Sequence, residues 1–131
     1  MDFKRLLIRL VSLIFFIFLL NYLAMKFYWY SSIWYLDMPM HFLGGVWLGL
    51  IFIWFFKLNE IRIKVILKII LCVLLVGILW EFFENIVNSY TTQNIFNVLD
   101  TISDILFDLS GGLFSIFYFL RYIMYIEKNT I

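Results

Sequence analysis

The stretch DTISDILFDLSGG (residues 100–112) decides how the chain is read, because it leads directly into the strongly apolar LFSIFYFL (113–120). Asp100, Asp104 and Asp108 are four residues apart, so on a helix they share one face. Gly111 and Ser115 continue that face. Residues 101–120 include eleven Leu, Ile or Phe, together worth about −5 kcal/mol for membrane insertion, while Asp104 and Asp108 would cost about +6 kcal/mol at the bilayer centre and less near its edge. The balance is close to zero. The segment therefore reads as a membrane helix that needs neighbouring helices to bury its acids.

The rest of the chain supplies such neighbours. Of 131 residues, 65% are hydrophobic and 15% charged, and the mean hydropathy is +0.99. Soluble domains usually have about half apolar and a quarter charged residues, so the composition predicts an all-α, polytopic transmembrane protein. Spanning ~30 Å of hydrocarbon takes ~20 apolar residues. Four segments qualify, at about 6–24, 37–56, 68–88 and 101–121, giving a four-helix transmembrane bundle and a single transmembrane domain over residues 1–131. The first segment follows KRLLIR, but its length and the YLA at 22–24 predict a retained span rather than a cleaved signal. YWYSSIWY (28–35) reads as an interfacial aromatic belt. Cys72 has no second cysteine to pair with, and no basic stripe of the kind that nucleic acid requires is present.

Charge is segregated along the chain. Lys4, Arg5, Arg9, Lys57, Arg62, Lys64, Lys68, Arg121 and Lys128 fall at the termini and between spans two and three, and only Lys26 falls on the other side. Basic loops stay cytoplasmic, so both ends are predicted inside and the protein is expected to be a multi-pass protein of the cell (cytoplasmic) membrane. Asp2, Glu60 and Glu127 accompany the basic residues. Asp37, Glu81, Glu84, Asp100, Asp104 and Asp108 all lie at the opposite, extracytoplasmic ends of spans two, three and four.

Counting 1.5 Å per residue from the basic anchors puts these groups in one shallow layer, with His41 ~6 Å and Asp108 ~11 Å below the outer boundary. Each helix has one stripe of polar and small residues. These are Asp37, His41, Gly45 and Gly49 on span two, Gly77, Glu81, Glu84 and Asn88 on span three, and Asp104, Asp108, Gly111 and Ser115 on span four. Small residues allow close helix approach, so the three stripes are expected to face one another, with Asn21 of span one at a similar depth. Without Lys or Arg in that layer, either some carboxyls are protonated or a cation compensates them. The candidate metal ligands are Asp37, His41, Glu81, Glu84, Asp104 and Asp108, a set suited to Mg, Mn, Fe or Zn. His41 and Glu81 are the candidate acid–base groups. The plainer readings make Asp37 and Asp100 helix N-caps and the glycines packing positions.

The sequence DMPMHFLGG, then WEFFE, then DTISDILFDLSGG resembles small bacterial membrane proteins of the YjdF-like type and, more distantly, the VanZ-like group. The likeness covers spans two to four and rests on Asp37 and His41, on Glu81 and Glu84, and on Asp104, Asp108 and Gly111. It implies a bacterial cell membrane and no settled biochemical activity. Three functions are expected to compete. One is an enzyme whose divalent cation acts on a lipid or lipid-linked phosphate. The second is a proton or cation transport module, and the third is a non-catalytic membrane subunit or envelope-stress factor. Membrane lipids, a second copy of the chain or another membrane protein are the expected partners.

Overall fold

A computed structural model of the chain describes residues 3–60, 62–91 and 96–123. The described residues are almost entirely helical. Helix α1 runs Phe3–Lys26, the short α2 Trp29–Ser32, α3 Asp37–Phe55, α4 Ile63–Thr91 and α5 Val98–Tyr118, followed by a π-helical turn over Phe119–Ile123. The four long helices are each apolar enough to cross a membrane, as the sequence predicts. The short α2 lies within the aromatic belt expected at 28–35. The main departure is α4, which starts at Ile63, ahead of Lys64 and Lys68, and continues to Thr91. Its 29 residues extend about 43 Å, beyond the ~30 Å of a hydrocarbon core.

Helix boundaries follow local chemistry. Pro39 sits in the first turn of α3, where a missing N–H costs nothing because the first four are unpaired anyway. At the other end Lys57 takes a left-handed φ of 49°. The Leu58 N–H then donates to Ile53 O at 3.2 Å and the Lys57 N–H to Trp54 O at 3.1 Å. That paired closure is the Schellman motif, and Leu58 packs on the same apolar cluster as Ile53. A lysine at a position that favours glycine costs about 1 kcal/mol. It also puts one more cation in the basic loop.

The helices pack in two layers of different character. One is apolar: Leu6, Leu10, Leu50, Ile53, Ile69, Val73, Ile116 and Phe119 are buried against each other. The other, toward the opposite helix ends, holds the buried polar residues His41, Glu81, Asp104 and Asp108. The outer surfaces of all four helices are lined with exposed Phe, Leu, Ile, Trp and Tyr, as helices facing lipid require.

α3 and α5 form the most extensive interface, and glycine makes it. A methyl group on Gly45 would meet the Asp108 backbone carbonyl, one on Gly111 would meet the Phe42 carbonyl, and one on Gly49 would meet Ser115 Oγ. At Gly45 and Gly111 the two backbones are in contact, and at Gly49 the Ser115 side chain takes up the space. Gly44, on the other face of α3, has nothing within 4 Å of such a methyl. Overpacking costs about 1–3 kcal/mol. Gly45→Ala and Gly111→Ala should each lower the melting temperature of the detergent-solubilised protein by several degrees, whereas Gly44→Ala should leave it unchanged. Equal melting temperatures for Gly44→Ala and Gly45→Ala would contradict the packing described.

Candidate functional site

Three helices deliver the polar groups. On α3, Asp37 and His41 are one turn apart, in the register that puts them on the face carrying Gly45. On α4, Glu81 and Glu84 are three residues apart and follow Gly77. On α5, Asp104 and Asp108 are one turn apart and precede Gly111. Contact at Gly45 and Gly111 draws α3 against α5, and a methyl on Gly77 would lie 2.8 Å from Asp108 Oδ2. The glycines thus make room for the carboxylates as well as for the backbones.

His41 is the centre of the result. Its Nδ1 is 3.2 Å from Asp108 Oδ1. Its Nε2 is 3.7 Å from each of Asp37 Oδ2, Glu81 Oε1 and Asp104 Oδ2. Four carboxylates from three helices therefore surround one imidazole. His41, Glu81, Asp104 and Asp108 are 7%, 6%, 3% and 5% exposed, so bulk water does little to compensate the charge. Among the described residues, His41 is the one ion-pair partner of these four acids, and a single imidazolium offsets at most one carboxylate. Glu81 Oε1 is buried without a hydrogen-bond partner. An orphaned carboxylate oxygen costs about 1–3 kcal/mol or more, and here it points at the one ring nitrogen that three acids share.

The spacing separates two kinds of contact. At 3.2 Å, the Nδ1–Asp108 pair is within hydrogen-bonding distance, and an Nδ1–H there leaves Nε2 with its lone pair. At 3.7 Å, the three oxygens around Nε2 are too far for hydrogen bonds. Two overlapping sets of donors occur, Asp37–His41–Asp104 and His41–Glu81–Glu84, and within each set the donor atoms lie within 4.8 Å of one another, close enough for one ion to reach all three. All six residues singled out in the sequence are brought together. Asp108 stands apart from both sets, on the Nδ1 side of the ring.

The capping expectations are corrected. Leu36 precedes α3 as its cap residue and makes no side-chain cap, so the Asp37 carboxylate turns to His41 instead. Asn97 caps α5, its Oδ1 accepting from the N–H groups of Leu99 and Asp100 at 3.1 and 3.3 Å. Asp100 is the third residue of that helix, with its carboxylate free of the capping role. Asn21 of α1 accepts a hydrogen bond from the Tyr30 hydroxyl at 2.7 Å. It joins the periphery rather than the carboxylate centre. Tyr30 faces Asp37 and Glu84, and its hydroxyl is held above the ordinary tyrosine range by partial removal from water and then by those two carboxylates.

Beside the centre, between the end of α4 and the start of α5, is a cavity of about 290 Å³ lined by Glu81, Glu84, Asn85, Asn88, Asn97, Asp100 and Thr101. Glu81 is a wall of both. Asn85, Asn97 and Thr101 were not read from the sequence as site residues. Asn85 falls inside the span read at 68–88, and Asn97 and Thr101 fall at the start of span four; the approach of the two helix ends is what brings them to one cavity. The N-cap assignment gives a direct test: Asn97→Ala should destabilise the protein by about 1 kcal/mol in a thermal or denaturant melt, and Asp100→Ala should not. The reverse order would restore Asp100 as the cap.

Comparison with known proteins agrees with the helical membrane architecture. The family model described as "Predicted membrane protein (DUF2238)" matches residues 2–124, and it is the family of YjdF-like proteins. Neither the curated proteins nor the solved structures contain a match. With nearly its whole length matched, the chain belongs to this DUF2238 family of membrane proteins.

Proposed function

We propose that the buried centre binds one divalent cation and that the protein uses it on the phosphate of a lipid or lipid-linked substrate. The observation that carries the reading is the arrangement of three carboxylate oxygens 3.7 Å from His41 Nε2, one of them the orphaned Glu81 Oε1. An ion among these donors would provide the missing partner and the missing positive charge together. Each set offers three protein ligands, which leaves coordination positions for substrate or water, the pattern of reactive rather than purely structural metal sites. A bound divalent ion would neutralise a phosphate and polarise its phosphoryl oxygen.

The chain's own groups then divide the work. Asp108 accepts the Nδ1–H of His41, fixing the ring and the tautomer that presents Nε2; carboxylate–histidine pairs commonly orient metal ligands this way. Asp37 and Asp104 carry the charge that holds the ion. Glu81, which also faces the open cavity, is placed to exchange a proton with a group bound there when the ion is held by Asp37, His41 and Asp104. A continuous proton or ion path is less well supported. Beyond Asp108 come Gly111, Gly112 and Ser115, then the buried apolar layer of Leu50, Ile53, Ile69, Val73, Ile116 and Phe119, with no titratable side chain among them. We also infer that the centre faces outward and both termini inward, on the charge segregation alone.

Two measurements test this. Elemental analysis of purified protein should find about one divalent metal per chain, lost in Asp104→Asn and Glu81→Gln, while Asp108→Asn should retain the metal at roughly 10–100-fold weaker affinity. Wild-type protein purified without metal, and unable to take up Mg, Mn, Fe or Zn on addition, would end the reading. For orientation, a reporter that works only outside the cytoplasm should be active when fused after Asn94 and silent after Asn59.

A further inference from the structure

The cavity between the ends of α4 and α5 is chemically unlike the centre beside it. Among the described residues its lining is polar: the carboxylates Glu81, Glu84 and Asp100, the amides Asn85, Asn88 and Asn97, and Thr101. At about 290 Å³ it is at the small end of the range for ligand pockets, larger than a bare ion needs and suited to a small polar headgroup. Several hydrogen-bonding atoms are already committed. The Asn85 amide donates to the Glu81 carbonyl at 2.8 Å, which leaves its side-chain oxygen as an acceptor. The Asn97 oxygen is used by the α5 backbone. The acceptors left are dominated by carboxylate.

That chemistry selects a ligand by elimination. An acyl chain finds no apolar wall among the described lining residues. A phosphate alone finds no Lys or Arg among the lining residues. A trimethylammonium group is held by aromatic cages, and sugars commonly stack on aromatic rings, but no aromatic residue is among the described lining residues. A primary ammonium, with three N–H donors and one positive charge, matches carboxylates and an amide oxygen. The helix ends add to the preference. Residues 84–88 lie in the last turns of α4, whose C-terminal dipole favours cations, while the first N–H groups of α5 are already satisfied by Asn97. Height is compatible as well, since the 29 residues of α4 exceed what a hydrocarbon core needs and allow its end to extend to the headgroup layer.

We propose that this cavity is a subsite for a primary ammonium group, and that the ligand is an aminoalkyl phosphate whose ammonium lies between Glu84 and Asp100. The attachment to phosphate rests on the function proposed for the adjoining centre; recognition of the ammonium rests on the cavity alone. Glu81, shared by both spaces, would mark the junction between the charged nitrogen and the phosphate. The same chemistry is available from an ethanolamine-headgroup lipid or from free phosphoethanolamine.

The test uses the full-length protein in detergent micelles with an equimolar mixture of phosphatidylethanolamine and phosphatidylcholine of identical chains, read by native mass spectrometry. The expected result is about tenfold preferential retention of phosphatidylethanolamine, the difference made by about one charge-assisted contact, falling to no preference in Asp100→Asn. Asp100 is exposed and is not the α5 cap, so this variant should fold, and an unchanged melting temperature verifies it. A calorimetric titration with phosphoethanolamine and with ethanolamine covers the soluble source: binding of phosphoethanolamine with the same dependence on Asp100 supports the subsite and assigns it to the free ligand. Equal retention of the two lipids together with no binding of phosphoethanolamine overturns the proposal. Preference retained in Asp104→Asn after its metal content has fallen shows that the ammonium subsite stands independently of the cation. Preference in wild-type protein that takes up no metal would keep the subsite and remove the cation reading.

Discussion

Contact between the backbones of α3 and α5 is the constraint on which the remaining structure depends. Carboxylates cannot face hydrocarbon at Asp104 and Asp108 without a cost comparable to the whole insertion energy of their helix. They are sheltered only if another helix comes close enough to exclude lipid. Gly45, Gly49 and Gly111 allow that approach, because side chains at any of them would collide with the facing helix. The approach in turn sets His41 among the acids, and α4 closes the third side through Gly77. Packing and charge are thus one problem in this protein. A larger residue at the helix contact would both separate the helices and expose the acids.

The division into an apolar layer and a polar layer has a related cause. Leu6, Leu10, Leu50, Ile53, Ile69, Val73, Ile116 and Phe119 need no partners beyond shape, so they can hold the four helices at one depth whatever the charge state above them. At the other depth every buried side chain needs a specific partner. α1 contributes three residues to its buried side, Leu6, Leu10 and Ala24, and its Asn21 meets the Tyr30 hydroxyl of α2 at the edge of the polar layer. It serves as a brace for α3, reinforced by the Trp47 indole N–H donating to the Leu10 carbonyl at 3.1 Å.

Much of this was legible in the sequence, for identifiable reasons. Four apolar segments of spanning length are read from composition alone, and their acids and glycines recur at helical spacing, so the facing stripes of α3, α4 and α5 follow. The six residues at Asp37, His41, Glu81, Glu84, Asp104 and Asp108 come together because depth and face were both fixed by counting. What was hidden depends on distances between chains of atoms that spacing does not encode. Whether Asp108 meets Nδ1 or Nε2 is set by the rotation of α5 about its contact with Gly45. The capping role moved from Asp100 to Asn97 because α5 begins three residues earlier than its apolar run. The cavity was invisible because it depends on how closely the end of α4 approaches the start of α5, which helical periodicity does not specify.

The identity of the central residue narrows what the cluster can be. A cluster kept only to lock three helices together would be better served by arginine, which stays charged and donates to several carboxylates at once. Histidine at 41 neutralises at most one acid and then only when protonated. With Asp108 at Nδ1, the imidazole leaves three other carboxylate oxygens facing a nitrogen that hydrogen-bonds none of them, at 3.7 Å each. Protons shared between neighbouring acids, as in the side-chain hydrogen bond between Asp37 and Asp104, reduce the repulsion, but Glu81 Oε1 still has no partner. Oxygens from three helices held 3.7 Å from one nitrogen have the separation that an ion among the donors would require. The same separation is wasted in a structural lock, and that contrast is the physical ground for preferring a binding centre.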